Sequence, residues 1–168
     1  MTTYLHNLLK AAVRGDYEAA YKAGLYYLER GNPVFAQAQF RRAAVGGYAV
    51  AQRSLGVLGL AGELLDPSST VDNKIYCERS AQNGITWLKT AASNHDAVAA
   101  YLYAKCMQLG LFLKKDVELA NEMLLGLSSR ITAEQIVSAM MMLDIVLEEK
   151  KIEETLPLDI CVIKKLAS

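Results

Sequence analysis

A pattern of small residues returns along this chain at fixed spacing, and no other feature restricts the fold as much. Ala11, Ala12, Gly15, Ala19 and Gly24 reappear 32 residues later as Ala43, Ala44, Gly47, Ala51 and Gly56. In a third copy Ala43, Ala44, Ala51 and Gly62 correspond to Ala91, Ala92, Ala99 and Gly110, each 48 residues on. The change from 32 to 48 marks sixteen residues inserted between copies two and three. Units this short cannot bury an apolar face alone, so they must stack on one another.

Inside each copy the apolar period is helical: Ala19, Ala23 and Tyr27 share one stripe, as do Ala51 and Leu55, and Ala99, Tyr103 and Met107. The chain holds 23 Ala and 24 Leu against 3 Pro, which favours helix throughout. Each unit therefore reads as two antiparallel helices joined by a short turn. Gly31-Asn32-Pro33 and Gly46-Gly47 mark turns, and Asp16, Asp96 and Asp116 stand where an N-cap acceptor is needed. Gly24 and Gly56 lie inside helices, at about 1 kcal/mol each relative to Ala. That cost is understandable where two helices cross closely. The fold expected is all-α, an α–α superhelix of at least seven helices with no sheet.

The insertion falls at about 63–83. Asp66 to Thr70 are turn-rich, and Thr70 or Asp72 is placed to cap a helix carrying Ile75 and Tyr76. A fourth, weaker unit follows from Leu113 to Ser129. A strong helix is expected from Thr132 to Lys150 as a lid on the last unit, and Pro157 opens a short apolar helix. The chain reads as one domain, 1–168, with repeats over 8–129 and capping helices over 130–168.

Eighteen Lys and Arg balance eighteen Asp and Glu. Zero net charge argues against a nucleic-acid binder, whose affinity comes from neutralising phosphates, and against a polybasic membrane-surface protein. No stretch approaches the ~20 apolar residues of a membrane span. The N-terminus lacks the basic and apolar regions of a secretory signal. Cys77, Cys106 and Cys161 are odd in number and far apart, which fits small apolar core groups in a reducing, cytoplasmic setting better than disulfides.

The three collinear copies resemble the Sel-one-like repeat family, a branch of the tetratricopeptide-like α-solenoids. The resemblance rests on DYEAAYKAGLYYLERG, YAVAQRSLGVLGLAG and DAVAAYLYAKCMQLG as first helices. RRAAVGG and LKTAASN serve as second-helix ends, and GLFLKKDVELANEML as the turn into a second helix. It covers roughly residues 8–129. Gly59 departs from it where an aromatic residue is usual, and Ala104 replaces a Gly. What the resemblance implies is a curved scaffold that binds other proteins. Many bacterial members are tied to secretion, envelope stress or host interaction, and some look like immunity proteins.

Residues with chemistry are sparse. His6 and His95 have no His or Cys at the spacing a metal needs, so no metal and no cofactor is expected. His95-Asp96 reads as an interhelical turn. Glu148-Glu149 and Glu153-Glu154, interleaved with Lys150 and Lys151, read as a solvated helix end. Met140-Met141-Met142 reads as core filler, with a Met-rich binding surface as the alternative. Nine tyrosines exceed what a core requires and point to an interface.

The function expected is stoichiometric protein binding, as a bacterial adaptor or an immunity-type inhibitor of a toxin. The alternatives are a homodimer formed through the C-terminal helices, or an enzyme whose pocket is closed by the insertion, using Glu63, Asp66, Asp72 or His95. The partner-binding surface is expected on the first-helix positions left over after helix pairing: Tyr21, Lys22, Leu25, Arg53, Val57, Leu60, Tyr101, Leu102 and Lys105. Their register stacks them on one side, the concave face by the family resemblance. The competing reading packs the aliphatic members between adjacent repeats.

Overall fold

The computed structural model describes residues 2–62, 64 and 73–149, the side chains of 73–79 and of Glu149 excepted. Over these residues the chain forms eight helices and no strand. They are α1 (Thr3–Val13), α2 (Tyr17–Glu29), α3 (Pro33–Val45), α4 (Ala49–Leu60), α5 (Asn73–Ser93), α6 (Ala97–Leu109), α7 (Val117–Leu127) and α8 (Ala133–Glu149). Helices start where the sequence supplies an acceptor. Asp16, Asp96 and Asp116 each take a hydrogen bond from the backbone N–H three residues on, at 2.9, 2.8 and 3.0 Å. Asn32 does the same for α3, with Pro33 following at the first helical position. Ahead of α8, Gln135 N–H donates to Thr132 Oγ1 and Thr132 N–H donates to Gln135 Oε1, a reciprocal cap.

Helices pair as α2 with α3, α4 with α5, and α6 with α7, one hairpin for each copy of the repeat. Helix α1 packs on α2, α3 on α4, and α5 on α6, so consecutive hairpins stack. The stretch expected as a fourth unit is instead α7, the second helix of the third hairpin. Its Ala120 and Leu127 are buried. Helix α8 lies on α6, where its Ala139, Met140, Leu143, Val146 and Leu147 join the core of the third unit.

The helix expected to carry Ile75 and Tyr76 begins at Asn73 and continues into the second helix of the middle unit. Helix α5 runs unbroken for 21 residues, so residues from Asn73 onward lengthen the second helix of the middle unit. The reason is an apolar stripe that continues backward at helical spacing. Leu88, Ile85 and Ala81 are all buried, and so is the polar Ser80 beside them. Residues 65–72 lie outside the described residues.

The long helix meets α4 backbone to backbone. A Cβ on Gly59 would stand 2.7 Å from both the Gly84 nitrogen and the Ser80 carbonyl oxygen. One on Gly84 would stand 2.7 Å from the Gly56 carbonyl oxygen, and one on Gly56 2.6 Å from Leu88 Cγ. Such distances leave no room for any side chain, so Gly59, the departure from the aromatic pattern, is what lets the two helices touch. Ser80 Oγ fills the seam, donating to the Gly59 carbonyl and accepting from Leu64 N–H, both at 3.2 Å. At the matching crossing of α2 and α3, Gly24 makes room for the ring of Phe40.

Candidate partner-binding surface

The nine residues read as a binding face are not equally accessible. Lys22 is exposed and pairs with Glu18 at 2.7 Å, and that carboxylate raises the lysine's pKa through a hydrogen bond and its charge. Leu25 is exposed. Tyr21 is half-buried, its ring 5.3 Å from Phe40 and 5.5 Å from Tyr48, its hydroxyl 3.4 Å from Ser54 Oγ. Val57 is half-buried. Leu60, Tyr101, Leu102 and Lys105 are buried and present no open surface. The correction has a simple cause. Adjacent hairpins pack closely, so Leu60 joins the core shared with α5 and α6, and Tyr101 and Leu102 join the one shared with α8. Lys105, 1% exposed, keeps its ammonium group satisfied by donating to Gln108 Oε1 at 3.0 Å, with the Tyr101 ring 5.7 Å away.

Arg53 is a tie between units. Its Nη1 donates to both carboxylate oxygens of Asp96, at 3.0 and 2.9 Å, while Asp96 also caps α6. Beside it, Gln52 Nε2 donates to the Ala44 carbonyl at 2.9 Å and Gln52 Oε1 accepts from Asn94 Nδ2 at 2.8 Å. These bonds connect α3, α4 and the turn before α6, so all three hairpins are joined by satisfied, largely buried polar groups.

What the sequence reading missed is an aromatic belt at the other end. Tyr4 and Tyr26 have ring centroids 6.3 Å apart, Tyr26 and Tyr27 6.3 Å, and Tyr27 and Phe35 5.4 Å. The Arg30 guanidinium lies 3.5 Å from the centre of the Tyr26 ring. The belt spans the start of α1, the end of α2 and the start of α3, and Tyr4 and Phe35 are each more than half exposed. Beside it, Tyr4, Leu8, Asp16, Glu18 and Lys22 line a cleft of about 260 Å³ between α1 and α2. A signal existed in the sequence: six of the nine tyrosines fall before residue 49.

Among the described residues, those considered for chemistry are dispersed. His95 sits in the turn before α6 with φ of 66°, and His6 is exposed on α1. Cys106 is fully buried, and burial pushes its thiol up to about 12. Cys161 and the side chain of Cys77 lie outside the described residues. So do Glu63, Asp66 and Asp72, the Glu153-Glu154 pair, and the short helix expected from Pro157. Met140 is buried, Met142 half-buried and Met141 exposed, so the run is core on one side only. Among the described residues, no three or more His, Cys, Asp or Glu side chains gather as a metal site would require, and no helix is long and apolar enough to cross a membrane.

No protein-family model matches the chain. A stretch of 106 residues, 63% of the chain, is 34% identical to an F-box protein of Arabidopsis thaliana, of which it covers 26%. The chain thus spans about a quarter of that relative's length. A protective antigen of uropathogenic Escherichia coli that displays an SLR fold overlaps with a TM-score of 0.33 at 16% identity, over 95% of this chain and 46% of the other. A Sel1 repeat protein from Oxalobacter formigenes superimposes with a TM-score of 0.63 at 24% identity, covering 80% of this chain and 96% of the other. With three stacked hairpins in register, that superposition gives this chain the fold of a Sel1-like repeat α-solenoid.

Proposed function

We propose that this protein is a protein-interaction module that acts by stoichiometric binding, and that its whole length works as one unit with 130–168 as the closing segment. The observation that carries the reading is the belt of Tyr4, Tyr26, Tyr27 and Phe35 with Arg30 over Tyr26, held on a rigid helical scaffold. Aromatic rings and Arg dominate binding hot spots, because they offer large contact area with few rotors to freeze. Lys22 and Leu25, the exposed members of the face read from sequence, extend this surface along α2, and Tyr21, Arg53 and Val57 are the half-buried members of that face. The more specific reading is an adaptor or a cytoplasmic immunity-type inhibitor in a bacterium. It rests on the family resemblance, as does the reading of the chain as a binder and not an enzyme.

The test starts with an affinity pull-down from the native host, identification of the captured chain, and calorimetric titration of the purified pair. One-to-one saturation is expected. Tyr26→Ala, Arg30→Glu and Phe35→Ala should each weaken it by about tenfold or more with the helical circular dichroism intact. Turnover of a metabolite by the pure protein overturns the reading. A second reading has one observation in its favour: Met141 and Ile145, one turn apart on α8, are both more than half exposed. They suit a homodimer through the C-terminal helices, and light scattering on the purified chain separates the two.

A further inference from the structure

Gly126 is the one described mid-helix glycine whose size nothing among the described residues explains. Gly24, Gly56, Gly59 and Gly84 each have a neighbour pressed against the place a Cβ would take, whereas a Cβ on Gly126 would meet nothing within 4 Å. A helical glycine costs about 1 kcal/mol relative to Ala. Here that cost leaves open space, and the space is part of a groove.

The groove, about 560 Å³, runs between α5 and α7 over α6 as its floor. Tyr103 and Met107 of α6 and Leu119 and Met123 of α7 make it apolar, and Lys89 and Arg130 also line it. No carboxylate is among its described lining residues, and neither cation has an ion pair with a described residue. Methionine lets such a wall adapt to its occupant. Apolar walls attract apolar side chains, and two cations with no ion pair among the described residues favour carboxylates. The groove is open along its surface and not an enclosed cavity, which suits a chain segment laid across it.

We propose that the groove between α5 and α7 docks a segment of a partner protein that carries aliphatic or aromatic side chains next to Asp or Glu. The side chains fill the space above Gly126, and the carboxylates lie against Lys89 and Arg130. This rests on the reading of the chain as a protein-binding module and adds a second surface, distinct from the aromatic belt.

The full chain is panned against a phage-displayed library of random linear peptides, and enriched sequences are resynthesised with a fluorescent label for anisotropy. Acidic, apolar peptides are expected. Their affinity should fall by about tenfold or more in Gly126→Leu, which fills the groove, and in Lys89→Glu/Arg130→Glu, which reverses its charge. Tyr26→Ala/Phe35→Ala should leave it unchanged. The charge-reversal variant carries the test if Gly126→Leu fails to fold. The groove is overturned if no peptide is enriched or the consensus lacks acids. It is also overturned if binding survives the groove variants within about twofold. Peptides lost only in the belt variant overturn the groove and leave the interaction-module reading standing.

Discussion

Lys22 in the first unit and Leu102 in the third occupy the same place in the repeat, yet Lys22 is exposed and Leu102 is 1% exposed. The same holds for Leu25 and Lys105, with the chemistry inverted: the aliphatic residue faces water and the cationic one is buried. Register decides which direction a side chain points. What waits in that direction depends on the number of units beyond it. The third unit has α4 on one side and α8 on the other, whereas on the first unit's side of the stack only α1 adds cover.

That difference is open to a direct break. Leu102→Ala should cost about 2–5 kcal/mol, the range for truncating a fully buried leucine, while Lys22→Ala should stay within about 0.5 kcal/mol. Urea unfolding of the two variants measures both. Equal costs would mean that α8 does not close the third unit in solution.

The two aspartate caps sharpen the comparison at smaller amplitude. Asp16 and Asp96 make the same bond to the N–H three residues on, but Asp96 is also held by Arg53. Asp16→Ala should cost about 1 kcal/mol. Asp96→Ala should cost about 2–3 kcal/mol, because it also leaves a half-buried guanidinium without its carboxylate. A double-mutant cycle of Arg53→Met with Asp96→Ala isolates the second part, and an interaction energy near zero would dismiss the tie.

The smallest effect concerns the turns. Gly15, Gly47 and His95 occupy one register position, and all three have positive φ, at 96°, 94° and 66°. A residue with a Cβ is strained there by about 1–2 kcal/mol. Gly15→Ala should therefore destabilise by about that amount. His95→Gly should stabilise by about 0.5–1 kcal/mol, the relieved strain less the entropy glycine adds to the unfolded chain. Thermal melts of the pair check the sign. A destabilised His95→Gly would mean that the imidazole contributes to the native turn beyond filling it.

Much of this architecture was legible before any coordinates. The repeats, the caps at Asp16, Asp96 and Asp116, the close crossing at Gly56 and the helix after Thr132 all rest on spacing or on one residue's local preference. The errors arose where one reading served two structures. Leu113 to Ser129 carries a helical pattern whether it is a new unit or the second helix of an old one, and only its contact with α6 separates the two. Counting locates the insertion, and the helix over Ile75 and Tyr76 is legible, but not that it runs on into the second helix of the middle unit. Register fixes which side of a helix a residue faces but says nothing about its depth in the stack.

By itself the sequence determined that this chain is helical, where most of its helices begin, and that its units stack, because these follow from period, capping and small residues that act within a turn or two. Tertiary structure alone decided that Gly59 and Gly84 touch, that Arg53 pairs with Asp96 of the next unit, and that Tyr4, Tyr26, Tyr27 and Phe35 form one surface. Each of these joins residues from different helices. Their proximity depends on crossing geometry and on how many units lie on either side, which no local pattern encodes.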